Sequence, residues 1–372
     1  MTNRELFYFT GRCLMLDDDP GFCKVIINKI TSDSIDWTKF VTLCSNHLIL
    51  TSIYLKFQAH DILKYLPDEL AEHLKDIYEL NLTRNNQIIV QLREITVTLN
   101  KNNIYPVFLK GSGNLLDQLY LDNGERILGD IDFLVPKKDY LQTAKLLEEA
   151  GYSVFVPFYG EIESLKHYPR ISKPGYPAVL EIHQLPVTER FQSWFNSEMI
   201  DQDKKPVKSL PGSFVLSDNH NIILNFIHSQ LDHEGHLYGI VSFRDLYDLY
   251  LLSKRTPLTQ TINNIKARGK AIAYFAFARK AFGLDEKFYP DSNFSARLFA
   301  KKHDFNHSSV FFYHSYRSIL YLVKRIFIGA IGQVIQSFYS KEMRRSVINR
   351  LTDRNWYRDH LHSYMHFFSP YK

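Results

Sequence analysis

The stretch Val107 to Val135, VFLKGSGNLLDQLYLDNGERILGDIDFLV, constrains this chain more than any other. It opens on an apolar run, Val107-Phe108-Leu109, that ends in Lys110-Gly111-Ser112. A helix is expected over Asn114 to Tyr120, then a polar turn from Leu121 to Gly129. The stretch closes on Asp130-Ile131-Asp132-Phe133-Leu134-Val135, which begins with the alternation of a strand. Side chains two residues apart on a strand share a face, so Asp130 and Asp132 point one way and Ile131 the other. Their Cα atoms then stand roughly 6–7 Å apart, a spacing at which two carboxylates can grip divalent ions. Gly111 would let backbone approach a bulky anion. Ser112 would offer a hydroxyl and an amide at the start of the following helix, where a phosphate is stabilised.

A second strand is expected at Ala178 to His183, with Leu180 and Ile182 on one face and Glu181 and His183 on the other. Glu181 is the candidate third carboxylate; the alternative is a solvent-facing edge strand with polar alternate positions.

The ordered set Leu-Lys-Gly, Leu-Tyr, Arg and Asp-Ile-Asp-Phe-Leu-Val resembles the nucleotidyltransferase fold of the DNA polymerase β superfamily. More narrowly, it is similar to a nucleotidyltransferase group often encoded in polysaccharide and peptide-modification loci. The gap from Ser112 to Asp130 is longer than usual in the superfamily, and the narrower group accommodates it. The resemblance implies an α+β fold: a mixed sheet with helices, flanked by N- and C-terminal helical regions. It implies nucleotide phosphates near Lys110, Gly111, Ser112 and Arg126. It also implies Mg²⁺ (or Mn²⁺) held by Asp130, Asp132 and Glu181 as catalytic carboxylates, with the Glu181 strand beside that of Asp-x-Asp. His183, two residues after Glu181, matches the narrower group and is a candidate for the cleft.

The rest of the chain reads mostly as helix. Residues 1–83 are expected as an N-terminal helical region, 84–215 as the nucleotidyltransferase core and 216–372 as a C-terminal helical region with a basic aromatic tail. Asp36 is the expected N-cap of a helix carrying Trp37, Phe40, Val41, Cys44 and Leu48 on one stripe, with His47 beside it as a satisfied, partly buried side chain. Ile88, Leu92, Ile95 and Leu99 form a cleaner stripe. Gly151 is expected to cap the helix that contains Ala144 and Leu147. His228, Asp232 and His236 would align if one helix ran through them, as a polar face lining the cleft or, alternatively, as metal ligands. Arg244 and Asp248 are expected to pair four residues apart, a contact that orients their helix and brings Arg244 near the cleft.

Composition limits the rest. Three cysteines, Cys13, Cys23 and Cys44, give no framework of bridges and point to reduced thiols and a cytoplasmic setting. The N-terminus lacks the apolar core of a signal peptide, and the longest apolar window near the C-terminus is too short for a transmembrane helix. Residues 297–372 carry thirteen basic against four acidic residues, although the whole chain is only +5. With interleaved aromatics, that stretch is a candidate contact for an anionic surface or a solvated basic face.

Three functions fit this reading. The first is metal-dependent transfer of a nucleoside monophosphate from a nucleoside triphosphate, ATP among the candidates. The acceptor hydroxyl or phosphate would belong to a small molecule, glycan or peptide, and pyrophosphate would leave. The second is a non-catalytic nucleotide-binding or assembly protein on the same fold, against which the retained carboxylates argue. The third is a basic membrane or nucleic-acid adaptor.

Overall fold

The computed structural model describes residues 1–308 apart from 19, 33, 155–164 and 291, together with residues 338 and 344. The chain opens with helices α1 (Asn3–Leu14), α2 (Pro20–Thr31), α3 (Trp37–Asn46) and α4 (Leu50–Ala59). The Asp36 carboxylate accepts from the Lys39 amide and caps α3. His47 ends α3, and its Nδ1 accepts from the Phe243 amide at 3.1 Å, so it is satisfied as expected. Next comes α5 (Asp68–Asn100), which runs unbroken for 33 residues.

The sheet is built from β1 (Val107–Phe108), β2 (Asp130–Leu134), β3 (Ser153–Val154), β4 (Ile171–Ser172), β5 (Val179–His183), β6 (Lys205–Pro206) and β7 (Phe214–Val215). Its order is β3-β4-β5-β2-β1-β7-β6. The sheet is mixed: β2 pairs parallel to β5 and β1 parallel to β7, and the other pairings are antiparallel. Between β1 and β2 lies α6 (Lys110–Leu116), and between β2 and β3 lies α7 (Tyr140–Glu149). After β5 come α8 (Ser197–Asp203), α9 (Asp218–Phe226), α10 (Gly235–Tyr238), α11 (Phe243–Ser253), α12 (Leu258–Thr261), α13 (Arg268–Phe282) and α14 (Phe294–Ser308). The fold is α+β.

One face of the sheet is sealed. Ile131, Phe133, Leu180 and Ile182 are fully buried in one core with Ile88, Leu92, Ile95 and Leu99 of α5 and Ala144 and Leu147 of α7. Each of the Ile, Leu and Phe side chains contributes about 1.5–3 kcal/mol on leaving water. Gly151 follows α7 at φ +96°, a left-handed conformation that glycine adopts without steric cost. With one face committed to this core, the alternate residues of β2 and β5 face the opposite side.

Residues 1–302 form one compact unit and residues 303–372 a second. Most of the basic stretch 297–372, and with it the expected anionic contact, lies outside the described residues. Among the described residues no single helix is long and apolar enough to cross a membrane.

Two local expectations change. The helix after β1 covers Lys110–Leu116 rather than Asn114 to Tyr120, because Gln118 at φ +50° turns the chain out of it. The row through His228, Asp232 and His236 is broken. A π-helical turn spans Ile227–Asp232, Glu234 sits at φ +57°, and α10 starts a new helix at Gly235. His236 leaves the row and stacks on Phe299, with ring centroids 5.4 Å apart.

Candidate active site

The open face of the sheet forms the floor of a cleft of about 780 Å³. Strands β2 and β5 run parallel in register, with Asp132 opposite Glu181 and Leu134 opposite His183. Partners in such a pair point to the same side, and strand neighbours lie about 4.8 Å apart. Asp130, Asp132, Glu181 and His183 all line the cleft as a result. Donor atoms of Asp132, Glu181 and His183 lie within 4.8 Å of one another, and all three side chains are buried. Asp130 lies at the more open edge, with its Oδ2 3.5 Å from Nη2 of Arg170.

Three contacts set the electrostatics of this group. Lys110 Nζ donates to Asp132 Oδ1 at 2.6 Å, and His183 Nε2 lies 2.9 Å from the same oxygen. Arg170 Nε donates to Glu181 Oε1 at 2.6 Å. Burial by itself raises a carboxylic pKa. At Asp132 the charge of Lys110 and the hydrogen bond from His183 outweigh burial and hold the carboxyl well below its usual range. At Glu181 the hydrogen bond from His183, the charge of Lys110 and the hydrogen bond from Arg170 outweigh burial, and the carboxyl falls to about 2. Asp130 moves up instead, through burial and the adjacent Asp132 charge. Lys110 has φ +49°, an uncommon backbone conformation for a residue with a Cβ. Such strain often accompanies functional sites.

Gly111 lines the cleft and packs against Arg126, whereas Ser112 is buried and bonded to backbone. A Cβ on Gly111 would lie 2.2 Å from Nη1 of Arg126 and 2.5 Å from Leu128. The absent side chain therefore makes room for a buried arginine at a position that itself lines the cleft. The Ser112 hydroxyl is buried, 2.9 Å from the Leu109 carbonyl and 3.0 Å from the Asp132 carbonyl, and so pins β1 and α6 to β2. Gly111→Ala should lose about 1–3 kcal/mol of stability by overpacking against Arg126, read from the urea midpoint. An unchanged midpoint would mean that Arg126 moves aside freely.

Arg126 lines the cleft and is held by an ion pair. Its Nε and Nη2 donate to the Asp248 carboxylate, with Nη2 at 2.8 Å. The expected Arg244–Asp248 pair does not form: Asp248 is taken by Arg126, and Arg244 Nε instead lies 3.7 Å from Asp245. Asn114 Nδ2 donates to Asp248 at 3.2 Å, and Asn221 Nδ2 donates to Asn114 at 2.7 Å. Burial and the neighbouring Arg244 charge lower the Arg126 guanidinium to about 9, still protonated at neutral pH. Both Arg126 and Arg244 line the cleft. His228 lines it too, and burial beside Lys110 lowers it to about 2, so it is a neutral imidazole.

Sequence reasoning passed over several contributors. Lys166, Arg170 and Arg190 line the cleft. Asn81 and Asn85 of α5 donate to the Arg126 carbonyl at 3.1 and 2.8 Å, and Arg84 donates to the Leu128 carbonyl at 2.6 Å. These contacts tie the 121–129 loop to α5. Polar residues at positions 81, 84 and 85 interrupt the apolar pattern of α5, and that was the available signal.

A family model described as uncharacterised nucleotidyltransferase matches residues 33–290, which is more than half of the 372-residue chain. No curated protein matches the chain.

Proposed function

Because the chain belongs to the family of uncharacterised nucleotidyltransferases, we propose that it moves a nucleoside monophosphate from a nucleoside triphosphate to an acceptor hydroxyl or phosphate. An acceptor oxygen bonds to the α-phosphorus, the bond to the β-phosphate oxygen breaks, and pyrophosphate leaves. An acceptor proton, where there is one, passes to solvent or to a carboxylate of the cleft. The observation that carries this reading is one cleft in which Asp130, Asp132 and Glu181 stand among six cations: Lys110, Arg126, Lys166, Arg170, Arg190 and Arg244. Carboxylates alone would repel a triphosphate, and cations alone would not hold a metal.

The donor set fits a hard divalent cation. Asp132 and Glu181 are ionised at neutral pH, and oxygen ligands of this kind suit Mg²⁺ or Mn²⁺. Asp132, Glu181 and Asp130 would hold it, and the hydrogen bond from His183 orients Asp132. A divalent cation bound there supplies charge neutralisation at the transferring phosphate. Lys110, Arg126 and Arg244 bind and orient the phosphates, and their fixed positions lower the reorganisation needed during transfer. The acceptor is a small molecule, glycan or peptide. The test is a screen of the four nucleoside triphosphates with Mg²⁺ or Mn²⁺ against a cell-extract acceptor pool, following pyrophosphate release. Metal-dependent release is expected. Nucleotide binding without release under every condition would favour a non-catalytic binding protein.

A further inference from the structure

Of the six cations that line the cleft, Lys110 and Arg170 touch its carboxylates most closely. Lys110 is anchored: its side chain is only 21% exposed, and its backbone sits at the start of α6. Arg170 precedes β4, and its side chain is 53% exposed. Its Nε and Nη2 both lie 2.6 Å from Glu181 Oε1, and Nη2 is 3.5 Å from Asp130 Oδ2. One guanidinium thus spans the two carboxylates that flank Asp132.

We infer that Arg170 is an internal counter-cation that competes with the divalent ion for Glu181 and Asp130 and so sets the ion concentration at which the cleft loads. This rests on the proposed reading in which those carboxylates hold a metal. Asp130, Asp132 and Glu181, side by side on the sheet, repel one another. A guanidinium is positively charged at neutral pH and offers a planar fork of donors to carboxylate oxygens. It therefore offsets the repulsion when no metal is present. Glu181 Oε1 already accepts two close N–H groups, and a divalent ion approaching that oxygen must displace them. The half-exposed Arg170 can swing into solvent, and the arriving divalent ion takes over its role as counter-charge to the buried Glu181. Lys110 has no comparable freedom and stays.

The test is a Mn²⁺ titration of the full chain, reading free Mn²⁺ by electron paramagnetic resonance. It compares wild type, Arg170→Ala, Arg170→Gln and Arg190→Ala, with circular dichroism as the folding control. Arg190 is a matched control. It is also a half-exposed cleft arginine, but it contacts the Leu231 carbonyl at 2.9 Å and Asp232 at 3.4 Å rather than the carboxylates on the sheet. Both Arg170 variants should bind Mn²⁺ several-fold to about tenfold more tightly than wild type, the scale of one favourable charged contact. Arg190→Ala should stay within about twofold. Equal binding by wild type and both Arg170 variants would overturn the competition and leave the metal site standing. Equal tightening in Arg190→Ala would also overturn it, by assigning the effect to net charge. Absence of Mn²⁺ binding in every protein would remove the metal site and the competition together.

Discussion

Asp132→Asn is expected to lower pyrophosphate release by on the order of 10²–10³-fold, the usual cost of one lost electrostatic contact in a transition state, and by more if the metal is lost. The substitution keeps shape and an acceptor oxygen but removes the charge. In the structure that charge faces Lys110 at 2.6 Å and His183 at 2.9 Å and lies in register with Glu181. Both of those partners, Lys110 and His183, meet the same oxygen, Oδ1. Some stability should go with it, because Lys110 loses its closest counter-charge. Asp130→Asn is the companion variant. Asp130 sits at the edge of the group with its carboxyl already shifted toward the neutral form, so its loss should disturb the fold less. Both proteins would be assayed for pyrophosphate release after circular dichroism has established their fold. Wild-type rates in both would sink the metal-dependent mechanism.

A larger effect on stability is expected at Asp248. Arg126 and Asp248 form a doubly hydrogen-bonded ion pair with side chains only 9% and 5% exposed. Removing one partner leaves the other charge buried and unpaired, which costs about 3–5 kcal/mol. Asp248→Ala should show this loss in urea unfolding. The double variant Arg126→Met, Asp248→Leu should recover most of it, because apolar side chains of similar size often replace a buried pair without loss. That variant also separates folding from binding. If Arg126 orients the phosphates, the double variant folds but binds Mg²⁺-nucleotide weakly in calorimetry. Retained affinity would leave Arg126 a purely structural role. A single Asp248→Ala protein as stable as wild type would contradict the geometry of the pair.

Local chemistry was legible in the sequence because it depends on short periods. The two-residue alternation of Asp130-Ile131-Asp132 and of Leu180-Glu181-Ile182-His183 determined which side chains leave the core. The stripe Ile88, Leu92, Ile95, Leu99 determined the helix face that seals the sheet. The resemblance carried by Lys-Gly and Asp-Ile-Asp led to the family that covers residues 33–290. Whatever depends on a choice of distant partner was decided by the tertiary structure. Parallel pairing of β2 with β5, rather than the alternation itself, sets Asp132 beside Glu181. Asp248 had two arginines to choose from. It took Arg126, 122 positions away, over Arg244 on the next turn of its own helix. The Gly111 and Ser112 sequence suggests a phosphate-binding turn, and only packing shows that the glycine also makes room for Arg126 and that the serine hydroxyl ties backbone to backbone. Arg170 has no sequence signal at all, since a lone arginine in a loop acquires meaning only from the carboxylates that the sheet brings against it. Periodicity is a property of neighbours along the chain, whereas burial, register and ion-pair choice are settled only when distant segments compete for the same space and the same charge.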